Sequence, residues 1–563
     1  MKKQKKWVRY NIDAQKISEL SNAAKIPELL ARVLVSRGID NRDSVVDFLN
    51  PSIDKLHDPF LMKDMDIAAE RILSARQNRE KVAIYTDYDA DGVVCASVLL
   101  EYFGHIGIDA QLYIPDRENE GYGISELGVE TIKKWRSSLV VTADCGISAL
   151  KEIDELVGSG IDVIVSDHHE CPETLPNACA IINPCRADSK YPFRELAGAG
   201  VVFKLVQALC ERTGEKDKFL EYIDLVSIGT ICDVVPLTGE NRIIAKFGLE
   251  ELNKTSREGI KALVSNACIK GTRIEAYHIG YMLGPRLNAA GRLGSALKSV
   301  KLLVSKNRAE AERIAQELGQ ENTERQLKEK QIFDEAVINI EKNNLERDRV
   351  IIVSGIDWHP GVIGIAASRL TEKYYKPCIV LSEVGSKAKG SCRSIRGFNM
   401  YEALGKCSVL LENFGGHEMA AGLSIEKSNI NKFRKMINEY ADTKDESLFI
   451  QTIFTEGELS GEEINLENAR LLKALEPYGC GNPVPHFFAT DLRIYDIRAV
   501  GNGKHLKMKL IKNDKIVDAI GFNMADPTGG NYKNISIDAV YTLEINNWND
   551  KESVQLKISD IKI

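Results

Sequence analysis

The chain has 563 residues, too many for one hydrophobic core, so three or four domains are expected. Hydrophobic residues make up 44% and charged residues 28%, a globular profile, and no apolar run approaches the roughly 20 residues of a membrane span. The net charge of -7, from 74 Lys and Arg against 81 Asp and Glu, excludes a uniformly basic coat for nucleic acid but not a local basic groove.

The N-terminus, Met1-Lys2-Lys3-Gln4-Lys5-Lys6, is basic, but the apolar segment of a secretory signal does not follow. Twelve cysteines are scattered singly, none in C-x-x-C spacing. Cys95, Cys145, Cys232 and Cys378 lie in apolar surroundings and are expected as buried thiols, which fits a reducing cytoplasm.

Residues 1–75 form a helix-leaning segment broken at Pro51 and Pro59, with no chemical motif. From Lys81 the pattern changes. Residues 82–85, 139–142 and 162–166 are short apolar runs rich in β-branched residues, the mark of strands buried on both faces. Helical stretches at 93–103 and 149–157 alternate with them, so residues 76–300 are expected to form a doubly wound α/β domain on a parallel sheet. A long helix is predicted over 308–343, within a connecting region 301–345. It carries an apolar stripe of Ile314, Leu318, Ile332, Ala336 and Ile340, with Gly319 as a break point. Unbroken, it would span roughly 54 Å. A second, smaller α/β domain is expected over 346–447. Alternating segments such as Leu506 to Leu510 predict a small antiparallel β-barrel over 448–563.

The acids follow the apolar runs. Asp87, Asp89 and Asp91 come after the run ending at Thr86, Asp144 after 139–143, Asp167-His168-His169 after 162–166, and Asp233 after Leu225 to Ile231. In an open parallel sheet the carboxyl ends of the strands share one edge, where ligands bind. Oxygen donors with one or two imidazoles suit Mn²⁺ or Mg²⁺, and crowded carboxylates need cations between them. Two such ions can clamp the attacking and leaving oxygens of a phosphoryl displacement. Taken singly, an acid after a strand is about as often a helix N-cap. Asp87 to Gly92 also matches half of an EF-hand loop, but the twelfth position is Val98 where a Glu is required.

The four motifs Asp87-Tyr88-Asp89-Ala90-Asp91-Gly92, Thr142 to Gly146, Ser166 to His169 and Asp233-Val234-Val235-Pro236 resemble those of the DHH phosphoesterase superfamily. Within it they look most like the RecJ-type single-strand-specific exonucleases. Gly284-Pro285-Arg286-Leu287-Asn288-Ala289-Ala290-Gly291-Arg292 resembles the end of that family's first domain. Trp358 to Gly364 and Gly415-Gly416-His417 resemble its DHHA1 domain, and Pro477-Tyr478-Gly479-Cys480-Gly481-Asn482-Pro483 resembles the entry to its OB-fold.

The resemblance implies a DHH domain, a connecting helix, a DHHA1 domain and an OB-fold barrel. It implies Asp89, Asp91, Asp144, His168 and Asp233 as ligands of two Mn²⁺ or Mg²⁺ ions, with Asp144 the bridge. Many relatives have a His where Tyr85 stands here, and the RecJ-type pattern offers Asp87 as the substitute. His169 is expected to contact phosphate or brace the ligands, and His417 to approach the scissile phosphate. Arg117, Tyr122, Arg286, Asn288, Ser391 and Arg393 are expected to bind the strand, with Ser391 and Arg393 in a 5′-phosphate pocket. Arg286 and Arg292 fit interdomain ion pairs equally well. In the barrel, Lys504, Lys507, Lys509, Lys512 and Lys515 form a basic strand pair.

The implied activity is 5′-to-3′ hydrolysis of single-stranded DNA to mononucleotides, in repair and recombination. It would be carried out by a cytoplasmic monomer acting on strands with a free 5′ end, away from any membrane. A narrow passage between the α/β domains would exclude duplex, and a helicase and a single-strand-binding protein would be partners. One rival is a DHH nuclease of nanoRNA or cyclic dinucleotides, or a pyrophosphatase, which would lack residues 450–563. Another is a catalytically dead DNA-binding scaffold, which would have lost metal ligands.

Overall fold

The computed structural model describes residues 5–269, 271–524, 535–548 and 551–563. Two compact units emerge, one of Leu56–Val235 with Ile243–Ile450, the other of Met1–Lys55, Pro236–Arg242 and Gln451–Ile563. No described helix is long and apolar enough to cross a membrane.

The first unit holds two sheets. Its five-stranded parallel sheet runs in the order Ala110–Tyr113, Val82–Thr86, Leu139–Ala143, Asp162–Ser166, Ala180–Ile182. Every residue of Val82–Thr86 and Leu139–Ala143 is buried, as expected of strands covered on both faces. On one face Ala83, Tyr85, Val140, Val163 and Val165 pack against the helices Glu126–Trp135 and Leu150–Gly158. Met65–Asn78, Ala90–His105 and Gly198–Thr213 also pack on the sheet.

Beyond it the helix Arg308–Lys342 runs without interruption. Gly319 does not break it; a methyl there would meet the Asn266 side chain at 2.5 Å, so the glycine serves packing. The helix buries its apolar stripe at both ends, and between them Arg325 donates to Glu329 (2.8 Å) and Asn322 (2.6 Å). The second sheet has the order Leu411–Gly416, Ala420–Glu426, Lys387–Arg393, Cys378–Val384, Ile351–Ile356. Only its last pair is parallel, joined through the helix Pro360–Tyr374.

In the second unit the strands Phe487–Val500, His505–Lys512, Lys515–Gly521, Lys551–Lys562 and Ser536–Trp548 close a barrel in that order. The expectation of a wholly antiparallel barrel is corrected, because Lys515–Gly521 and Lys551–Lys562 pair in parallel to complete closure. The helices Ala14–Ala24, Glu28–Ser36 and Arg42–Leu49 share one apolar core with the barrel, and Lys6–Arg9 pairs in parallel with Thr452–Thr455. Nothing in the sequence announced that partnership. All twelve cysteines are free thiols; Cys95, Cys145 and Cys378 are buried as expected, whereas Cys232 is only half-buried.

Candidate active site

Three of the four acid motifs lie at carboxyl ends of adjacent parallel strands, just past Thr86, Ala143 and Ser166. The fourth does not. The run before Asp233 is the helix Ile223–Cys232, and Asp233 follows as its C-cap. A short run of apolar residues buried all round has the same composition in either state, so the sequence could not separate them.

Asp89 does serve as an N-cap, its Oδ1 accepting from the Asp91 and Gly92 amides at 2.9 and 3.1 Å. Asp91 is buried, and its Oδ1 accepts from the Ala199 amide (3.1 Å) in the first turn of Gly198–Thr213. Asp144 stands in the left-handed region at φ 61°. Two glycines make room for these carboxylates. A methyl on Gly198 would lie 2.7 Å from Asp144 Oδ1, and one on Gly229 would lie 2.4 Å from Asp91 Oδ1.

Asp167, fully buried, braces the histidines. Its Oδ1 accepts from the His168 amide (2.7 Å), the His169 amide (3.2 Å) and His169 Nδ1 (2.7 Å), while Oδ2 accepts from the Ile147 amide (2.9 Å). Burial alone would raise the Asp167 carboxyl, but the His169 hydrogen bond and charge hold it below its ordinary value. His169 is raised in turn: burial opposes, and the bond to Asp167 prevails. His168 is pushed down to about 4 by burial and by the neighbouring His169, so its imidazole is neutral near pH 7. Its Nε2 lies 3.2 Å from Asp144 Oδ1 and 3.7 Å from Asp233 Oδ2.

Donor atoms converge in three groups, within each of which they lie within 4.8 Å of one another: Asp144, His168 and His169; Asp91, His168 and Asp233; and Asp87, Asp89 and Asp144. Asp144 and His168 each belong to two. Burial, then repulsion from the neighbouring carboxylates, holds Asp87, Asp91, Asp144 and Asp233 above the ordinary carboxylate range. Asp87 Oδ1, His168 Nε2 and Asp233 Oδ2 are buried without a hydrogen-bond partner. Orphaned acceptors among mutually repelling carboxylates are the signature of a cation site, and oxygen and imidazole donors without thiolate fit Mn²⁺ or Mg²⁺.

A second cluster is cationic. The Arg117 guanidinium lies over the Tyr88 ring at 4.9 Å. Arg292 donates to the Gly361 carbonyl (3.0 Å) and is pushed down to about 9 by burial and by Arg117, Arg325 and Arg393. Arg393 donates to Ser391 Oγ (3.3 Å) and the Cys392 carbonyl (2.8 Å), and a methyl on Gly364 would meet both Ser391 Oγ and Arg393 Nη2. Arg325 has Glu329, whereas Arg117, Arg292 and Arg393 form no ion pair among the described residues. Guanidiniums held together with no ion pair of their own favour an anion between them. Arg292 was foreseen only as an ion pair or an unspecified contact; its position among like charges was invisible from sequence.

Other expected residues have different partners. Arg286 donates to Asn266 Oδ1 (3.0 Å) and the Met282 carbonyl (2.7 Å). Asn288 Oδ1 accepts from the Ala90 amide (2.7 Å), so it props the helix start beside Asp89. Tyr122 is exposed, with its hydroxyl 3.2 Å from the His169 ring nitrogens. Tyr85 is buried, donating to the Gly123 carbonyl (3.1 Å) and accepting from the Ser125 amide (3.0 Å). His417 is exposed at the turn between Leu411–Gly416 and Ala420–Glu426. In the barrel Lys507 and Lys509 face Arg498 and Asp496 across the strands, and Lys512 is engaged by the Thr490 carbonyl (2.6 Å).

The description "DHH family, N-terminal domain" matches residues 81–230, "DHHA1 domain" residues 347–443 and "RecJ OB domain" residues 455–560. The single-stranded-DNA-specific exonuclease RecJ of Bacillus subtilis is 40% identical over 99% of this chain and 71% of its own length. The crystal structure of RecJ from Thermus thermophilus with Mn²⁺ superposes with a TM-score of 0.86 at 28% identity, covering 100% of this chain and 80% of that one. The structure with Mg²⁺ gives 0.79 at 26% identity, covering 100% and 79%.

Proposed function

From the fact that the chain belongs to the RecJ family of single-stranded-DNA-specific exonucleases, we propose that it removes mononucleotides from the 5′ end of a single DNA strand. It is a metal-dependent exonuclease of single-stranded DNA. The direction of travel rests on one observation: Arg117, Arg292 and Arg393, which form no ion pair among the described residues, stand in the same unit as the carboxylate cluster. That grouping suits a terminal 5′-phosphate held while the next phosphodiester meets the acids.

In this reading Asp89, Asp91, Asp144, His168 and Asp233, with Asp87 beside them, hold two divalent ions, and Asp144 and His168 are shared. When bound, the ions would polarise the phosphoester and neutralise charge on the attacking and leaving oxygens. Asp167 fixes the rings of the adjacent histidines. His168, neutral, presents Nε2 to the carboxylates, and His169, raised by Asp167, offers a proton towards Tyr122 and the phosphate. Ser391 and Arg393 grip the terminal phosphate, Arg292 and Arg117 completing the cationic wall. Arg286 and Asn288 act by shaping the surrounding helices, and His417 reaches the scissile phosphate from the second sheet. A helicase and a single-strand-binding protein would supply the strand, and the chain would work as a cytoplasmic monomer.

The oligonucleotidase rival is disfavoured by the match over residues 455–560, and the scaffold rival by the complete set of acids. The test uses Mn²⁺ with strands labelled at either end, duplex and a dinucleotide, alongside Asp144→Ala and Arg393→Ala. Single strands should shorten from the 5′ end, Asp144→Ala should be inactive, and Arg393→Ala should lose its preference for 5′-phosphate over 5′-hydroxyl. Shortening from the 3′ end, or cleavage of the dinucleotide alone, would sink the proposal.

A further inference from the structure

Two tyrosines stand on the surface of the first unit without a role in the chemistry above. Tyr277 is 61% exposed and Tyr281 73%, and their rings stack on each other with centroids 4.9 Å apart and planes 27° apart. Rings of this size ordinarily contribute to a core or an interface, and these two meet only solvent on their outer faces.

The backbone beneath them is irregular. Ala276–His278 and Gly284–Leu293 are joined through a single π turn, Ile279–Leu283, in which the Gly284 amide donates back to the Ile279 carbonyl. Such turns are rare, and they occur frequently at functional sites. This one lies in a helical run that already serves a site. A methyl on Gly284 would lie 2.4 Å from Sγ of Cys232, the residue before Asp233. Further along, Asn288 props the Ala90 amide beside Asp89 (2.7 Å), and Arg292 belongs to the cationic wall. The run therefore passes the acids along its length, with guanidiniums at one end and the tyrosine pair at the other. From Arg292 back to Tyr281 is roughly 16 Å at the helical rise per residue.

Arg286 lies between, donating to the Met282 carbonyl (2.7 Å) and forming no ion pair among the described residues. Positive charge beside exposed aromatic rings is the arrangement that holds single strands whatever their sequence, because phosphates meet the charge and every base has a face to stack. An exonuclease that must pass each base in turn through one site needs a hold of that kind.

We propose that Tyr277 and Tyr281 form a stacking platform for an unpaired base of the substrate strand, on the far side of the acids from the cationic wall. With the 5′ end at that wall, a placement that rests on the 5′-to-3′ reading, the base held is a few nucleotides 3′ of the phosphodiester being cut. A base paired and stacked within a duplex has no free face to offer, so the platform also favours single strands.

The full-length protein is assayed with Mn²⁺ on 5′-phosphorylated single strands of graded length, some carrying an abasic stretch. The double variant Tyr277→Ala, Tyr281→Ala should raise KM for long strands by about tenfold and leave kcat within about twofold of wild type. On oligonucleotides too short to reach the platform, the double variant and wild type should match. Tyr281→Phe keeps the ring and should behave as wild type, as should Leu327→Ala, a change at a 65% exposed position on the helix Arg308–Lys342. The abasic stretch should raise KM for wild type and make no further difference to the double variant. An unchanged KM in the double variant, or an abasic effect that persists there at full size, would overturn the platform while leaving the exonuclease reading intact. So would a loss of self-association with KM unchanged, which would assign the pair to a second copy of the chain. Degradation by wild type from the 3′ end would instead strike the direction of travel, and the platform's placement with it.

Discussion

A methyl group at Gly198 would come within 2.7 Å of Asp144 Oδ1, so this glycine decides where the shared carboxylate can sit. Gly198→Ala is expected to cut the exonuclease rate by roughly 100-fold, a displacement near 1 Å sufficing for that, with little change in melting temperature. Rates on labelled single strands check it, and near-wild-type turnover would refute it. Asp144 was legible as an acid after a strand; Gly198 was not, because a close approach between distant segments leaves no mark on either. A different residue-scale effect belongs to Glu456, buried in the other unit, where burial prevails over Arg37 and pushes the carboxyl up to about 7 from an ordinary 4.5. A carboxyl with a raised folded pKa binds its proton more tightly in the folded state. Its stabilisation is therefore fully present below pH 4.5 and is lost as the pH rises through about 7. Glu456→Gln keeps an acceptor for the His486 amide (2.8 Å to the present carboxylate) and removes the charge. It should stabilise the protein at pH 8 by up to ~3 kcal/mol and hardly at all at pH 4.5. Equal effects at both pH values in thermal melts would contradict this.

Among the elements, the buried parallel strands and the long helix were the most legible, because continuous apolar runs and a helical stripe leave periodic signatures over many residues. Gly319 looked like a break and is a contact point, since Asn266 occupies the place of a side chain. The run before Asp233 looked like a strand and is a helix, since burial on all sides erases the period that distinguishes the two. The N-terminal helices were legible as helices, but their burial against the barrel was not. Leu30, 3% exposed, lies in the core they share. Leu30→Ala should therefore cost about 2–5 kcal/mol, and the loss should appear in the barrel's own unfolding transition. Near-ultraviolet circular dichroism follows that transition; a change confined to the helical signal would show the two parts to be independent.

For the whole molecule, a net charge of -7 coexists with a concentration of acids at one sheet edge and of guanidiniums near it. Buried carboxylates that repel one another gain most from bound cations. Mn²⁺ at 100 times its dissociation constant should add about 2.7 kcal/mol to stability. Differential scanning calorimetry should show the melting temperature rising with Mn²⁺, falling with a chelator, and hardly responding in Asp144→Ala. A rise of equal size in that variant would place the ions elsewhere. The order of the domains, the parallel sheet and the identity of the acids were determined by sequence alone, because short apolar runs and the residues that end them are local features of the chain. Which acids share a donor group and which arginines form no ion pair were decided only by tertiary structure. Those properties depend on distances and dielectric surroundings set by residues up to hundreds of positions apart, as Arg117 beside Arg393 illustrates.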